Sequence, residues 1–414
     1  MKKLLGASAL ALAFTCLSPF TAAAQSIDNA ANPNPEGTLS RWLTLDQFSF
    51  SSRYRNAFGT NGEHTFNSEQ NRSLVSGKFK LDEQGKYFIG FRASSGRYFN
   101  WAYSTAMGAH FGPSDETIFV GPGTGGLIYQ ALSQGVTGDA PESRGWNFYM
   151  RELYFSATPV KPVTVEFGGL GFERGVASEI TTFDEDGYIT GERLRLHDKN
   201  HLYFDQISTT FGYLGFYDPY TPNFFARGTG LAHNNYRQVE AHKAWSKRFA
   251  GSLEYDWFFG YNTFREALRT SIPETKVADS ARFELYQRAN APSLQGEVFP
   301  AGNGWSVAFD KNLQHKKWQL EAGYADIDRY YGVYSGSRLG TIVGFSLNGD
   351  AYQIGKRPFV RLNYTPHPFV TFFGFYTHEV DAPTDPTYNA FNRQNIQGGL
   401  TINFKAMLNK AGLL

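Results

Sequence analysis

Charged residues recur at alternate positions along this chain, set between aromatic and aliphatic neighbours. Arg53 and Arg55, Lys78 and Lys80, and Glu254 and Asp256 each stand two apart, and Arg361 sits between Val360 and Leu362. In an extended strand residues two apart share a face, so such spacing puts the charges on one side and the apolar groups on the other. A wet wall of guanidinium and ammonium groups concentrates and orients anions, and a wall of carboxylates does the same for cations.

Covalent and metal chemistry finds less support. No Gly-x-Ser-x-Gly nucleophile motif occurs, so an enzyme is not expected. The run Gly121-Pro122-Gly123-Thr124-Gly125-Gly126 lacks the Lys that a phosphate loop needs. Asp184 and Asp186 imitate the middle of a calcium loop, with Gly187 after them. The closing position, however, is Arg193 where that pattern has Glu, so an acidic turn is the preferred reading. His197 and His201 stand four apart in a loop, where the spacing fixes no shared face for zinc. No cofactor is expected.

The elements that position the charges follow from composition and periodicity. The 414 residues are 41% hydrophobic and 16% aromatic, with 43 Gly. That is too apolar for a disordered chain. No run after the N-terminus resembles a membrane helix of roughly 20 apolar residues. A formal charge of +1 gives no electrostatic footprint for nucleic acid. Lys2 and Lys3, the apolar run 4–20 and Thr21-Ala22-Ala23-Ala24 read as a cleaved export signal over 1–24. The only Cys, Cys16, lies inside it, so the exported chain would carry no disulfide.

Period-2 alternation then runs along the chain. Val163, Val165 and Phe167 alternate with Thr164, Glu166 and Gly168, and Trp318, Leu320, Ala322 and Tyr324 alternate with Gln319, Glu321, Gly323 and Ala325. Segments of about 10–14 residues suit tilted membrane strands, and aromatics gather toward their ends. Tight turns at 82–85, 159–162, 246–248 and 366–368 contrast with long connections at 98–145, 174–200, 265–302 and 328–356. Placing every tight turn at one end predicts strands at 42–55, 71–81, 86–97, 146–157, 162–173, 201–211, 213–222, 235–246, 250–264, 303–312, 316–328, 357–366, 369–380 and 392–404. The expected fold is therefore all-β: a transmembrane antiparallel β-barrel of about fourteen strands, with sixteen as the alternative. Pieces at 282–287 and 341–347 break the alternation singly and are assigned to external loops. The domains expected are a signal at 1–24, a short periplasmic segment at 25–41, the barrel at 42–404 and a tail at 405–414.

Ile396, Gly398, Leu400, Ile402 and Phe404 share one face of the last strand, which ends in an aromatic. This resembles the C-terminal signal that outer-membrane barrels present to their assembly machinery, with Lys405–Leu414 as a departure. Signal, alternation and last strand together resemble a Gram-negative outer-membrane porin over the whole exported chain. Val165-Glu166-Phe167-Gly168 leading to Gly191-Glu192-Arg193-Leu194 is loosely similar to alginate-export-type porins, although Gly168-Gly169-Leu170 replaces their usual Gly-Arg-Gln. The resemblance implies an outer-membrane location, contact with lipid, passive diffusion of small hydrophilic, anionic or saccharide solutes, and a possible homotrimer. A substrate-specific export or uptake channel is the alternative.

On this reading the lumen carries two walls. Arg53, Arg55, Lys78, Arg92, Arg361 and Arg393 gather where the first strands close onto the last. Glu166, Glu240, Glu254, Asp256 and Glu321 are expected opposite them. Tyr98, Trp101 and Tyr103, in the long stretch 98–145, are candidates for a loop folded into the pore. Arg151 and Glu152 cannot both face inward on a regular strand, so a bulge or an interfacial position is expected there.

Overall fold

Alternation of polar and apolar residues becomes, in the computed structural model, a wall with two unlike faces. The structure describes residues 42–58, 64–95, 148–176, 188–198, 202–213, 236–258, 261–272, 277–289, 291–294, 297–299, 302–314, 316–327, 355–380 and 394–413. The strands are β1 (Leu43–Phe58), β2 (His64–Lys80), β3 (Tyr87–Ser95), β4 (Phe148–Val160), β5 (Val163–Gly171), β6 (Tyr188–Leu196), β7 (Gln206–Tyr213), β8 (Tyr236–Ala244) and β9 (Phe249–Phe258). They continue as β10 (Tyr261–Ser271), β11 (Ser280–Arg288), β12 (Ala291–Leu294), β13 (Glu297–Phe299), β14 (Gly302–Leu313), β15 (Trp318–Ile327), β16 (Gly355–His367), β17 (Val370–His378) and β18 (Gln394–Asn403). A helix, α1 (Phe404–Lys410), follows.

Sixteen of these strands close into one antiparallel barrel, and β12 and β13 form a separate small hairpin. Closure runs through β1 and β18, with Arg53 opposite Gly399 and Phe50 opposite Ile402. A closed barrel leaves no edge strand unpaired, which is the condition for crossing a bilayer with strands. Among the described residues no helix is long and apolar enough to cross a membrane. Outward positions are apolar and exposed, among them Leu253, Phe264, Phe283, Phe309, Val360, Phe372 and Ile396. Inward positions are polar or charged, and many are fully buried, including Ser156, Glu240, Asp256 and Glu284.

The four tight turns all fall at one end of the barrel, as expected. In the first of them Asp82 accepts from Tyr87 N at 2.8 Å, and Gly85 takes the left-handed conformation that glycine tolerates best. Stacked aromatics collect near this end: Phe79 on Phe91 at 5.0 Å, and Trp318 on Tyr364 at 4.1 Å. Arg92 pairs with Glu152 while Ala93 pairs with Met150, which makes Arg151 the extra residue of a β-bulge.

Helix α1 is capped by Asn403, whose side chain accepts from Ala406 N. Phe404 packs on Phe48 at 5.1 Å and Phe50 at 6.2 Å, and Lys405 Nζ donates to the Asp46 carbonyl at 3.2 Å. The tail beyond the barrel is thus partly helical and leans on β1.

The count of sixteen departs from fourteen in three places. The stretch 174–200 is not all loop, because it contains β6. The expected strand 250–264 is two strands, β9 and β10, folded back at Phe258–Tyr261. The piece at 282–287, assigned to a loop, is the heart of β11 and stands in the wall between β10 and β14. The expected strand 213–222 lies, beyond Tyr213, outside the described residues, and β7 pairs directly with β6 and β8. The piece at 341–347 and the whole of 98–145 lie outside the described residues.

Candidate functional site in the barrel lumen

Beyond Gly171 the chain leaves the wall and turns inward. Arg193 on β6 donates from Nη2 to the Gly171 carbonyl at 2.6 Å. The Glu173 carboxylate then lies 3.1 Å from Arg193 Nε and 3.0 Å from Arg195 Nε, and Gln206 donates to it at 3.1 Å. Gln238 on β8 donates to the Glu173 main-chain carbonyl at 2.8 Å. Phe172 meets Tyr236 edge-on at 5.5 Å. At Gly175 a Cβ would lie 2.1 Å from Ser252 Oγ, so only glycine lets the backbone press this close to β9. Residues 172–176 therefore run from β5 across the inside of the wall toward β8 and β9. Val176 ends this run beside a cavity of about 380 Å³, lined also by His197, Gln206, His242, Ala244 and Ala250.

Burial opposes ionisation of Glu173, but the two guanidiniums outweigh it. Its carboxyl is held down at about 2, against an ordinary value of 4.5. The carboxylate is thus a permanent anion between two permanent cations. The same arginines serve Glu166 on β5, with Arg193 at 3.4 Å and Arg195 in closer contact.

Further round the wall, Arg265 on β10 contacts both Glu254 and Asp256 on β9. Tyr236 donates to Asp256 at 3.0 Å, and Gln238 to Glu254 at 2.5 Å. Arg282 on β11 lies 3.0 Å from Glu284 and 3.0 Å from Glu321, and Arg361 reaches Glu321 from the other side at 2.9 Å. Near the far mouth, Arg357 and Glu379 pair at 3.3 Å with both side chains about 1% exposed. These rows of ion pairs brace a wall whose polar face cannot be stabilised by apolar packing.

The expected site residues fall as follows. Arg53, Arg92 and Arg361 lie on the inner face: Arg53 donates to Gln397 at 3.0 Å, and Arg92 is 3.4 Å from Glu152. Lys78 stands with its ammonium 5.2 Å from the Phe88 ring centroid. Arg55 is paired with Gln397 in the β1–β18 register, and its side chain lies outside what the structure describes. Glu166, Glu240, Glu254, Asp256 and Glu321 are all inward and buried. Arg393, Tyr98, Trp101, Tyr103, Asp184 and Asp186 lie outside the described residues.

The acidic wall needs correction. Glu166, Glu254, Asp256 and Glu321 each meet an arginine from a neighbouring strand, and Glu321 bonds Arg361 of the supposed opposite wall. Arg193, Arg195, Arg265 and Arg282 supply most of this neutralisation. All four stand in stretches read from sequence as loops, which removed them from the count of inward charges. Their signal was present: each alternates with Leu, Phe or Ala on the opposite face.

No protein-family model matches the sequence. No curated protein matches it either. Several solved outer-membrane structures are similar to the fold. A loop-deletion mutant of OmpT of Vibrio cholerae is 11% identical, covering 87% of this chain and 99% of that chain at a TM-score of 0.45. A mutant of the Rh. blastica porin is 11% identical, covering 87% and 100% at a TM-score of 0.44. Pseudomonas putida OprB at low pH is 6% identical, covering 88% and 93% at a TM-score of 0.43. At such scores the functional reading rests on this barrel's own geometry.

Proposed function

We propose that this barrel is an outer-membrane channel through which small hydrophilic solutes, anionic or saccharide, diffuse passively. The observation that carries the reading is the inward run 172–176, clamped by charge across a polar lumen inside an apolar-faced barrel. Such an arrangement narrows a wet passage without closing the wall. Solutes pass through water beside fixed charges, and no covalent step is involved. Arg53, Arg55 and Lys78 supply positive charge on the β1–β2 side and favour anions.

The same reading takes residues 1–24 as a cleaved export signal and the last strand as the contact for barrel-assembly machinery. It takes the assembled form as a monomer or a homotrimer, the latter with apolar outer faces meeting. The test is conductance in planar bilayers, with reversal potentials measured in a salt gradient. Stepwise open-channel currents are expected. Absence of current, together with hydrolysis of phospholipid or peptide, would replace the channel by a barrel enzyme.

A further inference from the structure

Two corners at the tight-turn end of the barrel carry cations beside exposed rings. Between β8 and β9, Ser246 Oγ accepts from the main-chain N–H groups of Arg248 and Phe249 at 3.1 Å, and Ser271 N donates to the Arg248 carbonyl at 2.7 Å. The turn is thereby held in one shape, with Lys247 and Arg248 exposed on it. Next to them stand three exposed rings, Tyr203, Trp245 and Phe249. Trp245 Nε1 donates to the Tyr203 hydroxyl at 3.2 Å, and the Trp245 and Phe249 centroids are 5.1 Å apart. The cluster lies on the outer side of the wall. A Cβ on Gly251 would sit 2.9 Å from Trp245 Cη2 and 2.8 Å from the exposed Leu268. Lys243 joins the same rings, 5.4 Å from the Tyr203 centroid, and Asp205 meets its charge at 3.5 Å.

The arrangement recurs between β14 and β15. Lys317 N donates to the Gln314 carbonyl at 3.2 Å, and Thr365 N to the Lys317 carbonyl at 2.7 Å, leaving Lys316 and Lys317 exposed on a fixed turn. Trp318 Nε1 donates to Gln314 at 3.1 Å, and its ring stacks on Tyr364 at 4.1 Å. Among the described residues, none of Lys247, Arg248, Lys316 and Lys317 makes an ion pair. Two other tight turns differ: the β2–β3 turn sets Asp82 and Glu83 between its lysines, and the β4–β5 turn carries Lys161 alone.

Rings with an apolar body and a polar tip settle at the boundary between membrane and water. Cations fixed just beyond them stand at headgroup depth, where each adds roughly fivefold to attraction by an anionic surface. A zwitterionic headgroup brings no net charge for these cations to meet. A free anion brings nothing for the rings. We infer that the two corners dock anionic phospholipid, with headgroup phosphates against Lys247–Arg248 and Lys316–Lys317 and acyl chains along Trp245, Phe249 and Trp318. The inference rests on the reading of the barrel as membrane-spanning, and it adds which lipid is selected and where.

The test is native mass spectrometry of the full-length barrel, released from detergent micelles holding equimolar phosphatidylglycerol and phosphatidylcholine. Phosphatidylglycerol is expected to be retained at least about fivefold over phosphatidylcholine. The pair Lys247→Gln and Arg248→Gln, and the pair Lys316→Gln and Lys317→Gln, should each lower that preference. All four together should abolish it, whereas Lys161→Gln should match the parent. Heat-dependent electrophoretic migration checks folding, and either pair serves if the fourfold variant does not fold. Excess glycerol phosphate should not displace the lipid. Equal retention of both lipids by the parent, an undiminished preference in the folded variants, an equal loss in Lys161→Gln, or displacement by glycerol phosphate would overturn the inference. Planar-bilayer currents read the channel separately, so a barrel that conducts without lipid preference fails this inference alone.

Discussion

The guanidinium of Arg193 stands 3.1 Å from the carboxylate of Glu173, joining the barrel wall to the run that crosses its interior. Wall and crossing piece are separate in sequence, so this contact sets how far the run stays from the pore axis. Five predictions follow from this and from the wall around it.

Glu173→Ala removes one partner of a buried pair, a change that costs about 3–5 kcal/mol where the remaining charge is stranded. Glu166 still shares the two arginines, so a loss of about 2–3 kcal/mol is expected in denaturant unfolding. Released from the wall, residues 172–176 should swing, and single-channel conductance should rise and become noisier. A quiet channel of parental conductance would show that the contact does not set the aperture.

Acid should act on the same carboxylate with a definite sign. Its value in the folded barrel, about 2, lies below the ordinary 4.5. The folded state therefore favours the ionised form, so this stabilisation is complete above 4.5 and fades as pH falls toward 2. Conductance should be flat from about pH 8 to 5 with respect to this group and change only below about pH 3. A midpoint near 4.5 in conductance–pH curves would mean that Glu173 is not held by the arginines.

Charge selectivity is predicted from the β1–β3 and β16 side. Replacing Arg53, Arg92 and Arg361 together by Gln should move the reversal potential in a salt gradient toward cations. Glu152 then loses Arg92 and Glu321 loses one of its two arginines, with Arg282 remaining, and both add to the shift. Unaltered selectivity would remove these residues from the conduction path.

The place of β11 in the wall can be tested by Phe283→Arg. Phe283 faces outward between Leu268 and Val307. An arginine on the lipid face near mid-membrane costs about 2–4 kcal/mol, whereas in an external loop it would cost almost nothing. Reduced folding yield in lipid vesicles is expected; a neutral effect would return this segment to the loops.

Closure of the ring is tested by Gly399→Val. A Cβ at Gly399 would lie 2.1 Å from the Ser52 carbonyl oxygen and 2.7 Å from the Phe373 ring. Crowding of this kind costs about 1–3 kcal/mol or more, here at the β1–β18 seam. The heat-sensitive compact band in electrophoresis should weaken, and an undiminished band would mean that the seam yields easily.

Most of the wall was legible because its outward residues are strongly apolar. β5, β14, β15 and β17 carry Val, Phe, Trp or Leu at alternate positions, and the turns at 82–85, 159–162 and 366–368 hold Pro, Gly or Asp. β6 was hidden because Glu192 shares its outward face with Leu194, which blunts the contrast between faces. β9 and β10 fused because their connection passes through Phe258 and Phe259, aromatic residues that continue the pattern instead of interrupting it. That error carried β11 with it, since parity then left no place for a single further strand. The inward run was not legible, because nothing local in Gly171–Val176 says which way a chain turns on leaving a strand. Its direction is decided by Arg193, Arg195 and Gln238, which only the closed ring brings together. The bulge at Arg151, by contrast, followed from two adjacent charges and a face that admits one.

Helix α1 grows from the last strand, yet its aromatic anchor and its lysine both rest on the first. It can settle only after β1 and β18 have met. A chain stalled with an open seam would leave Phe404 without Phe48 and Phe50 to cover it. The short helix therefore serves as a latch that registers completion, distinguishing a finished ring from one still waiting for its last pairing.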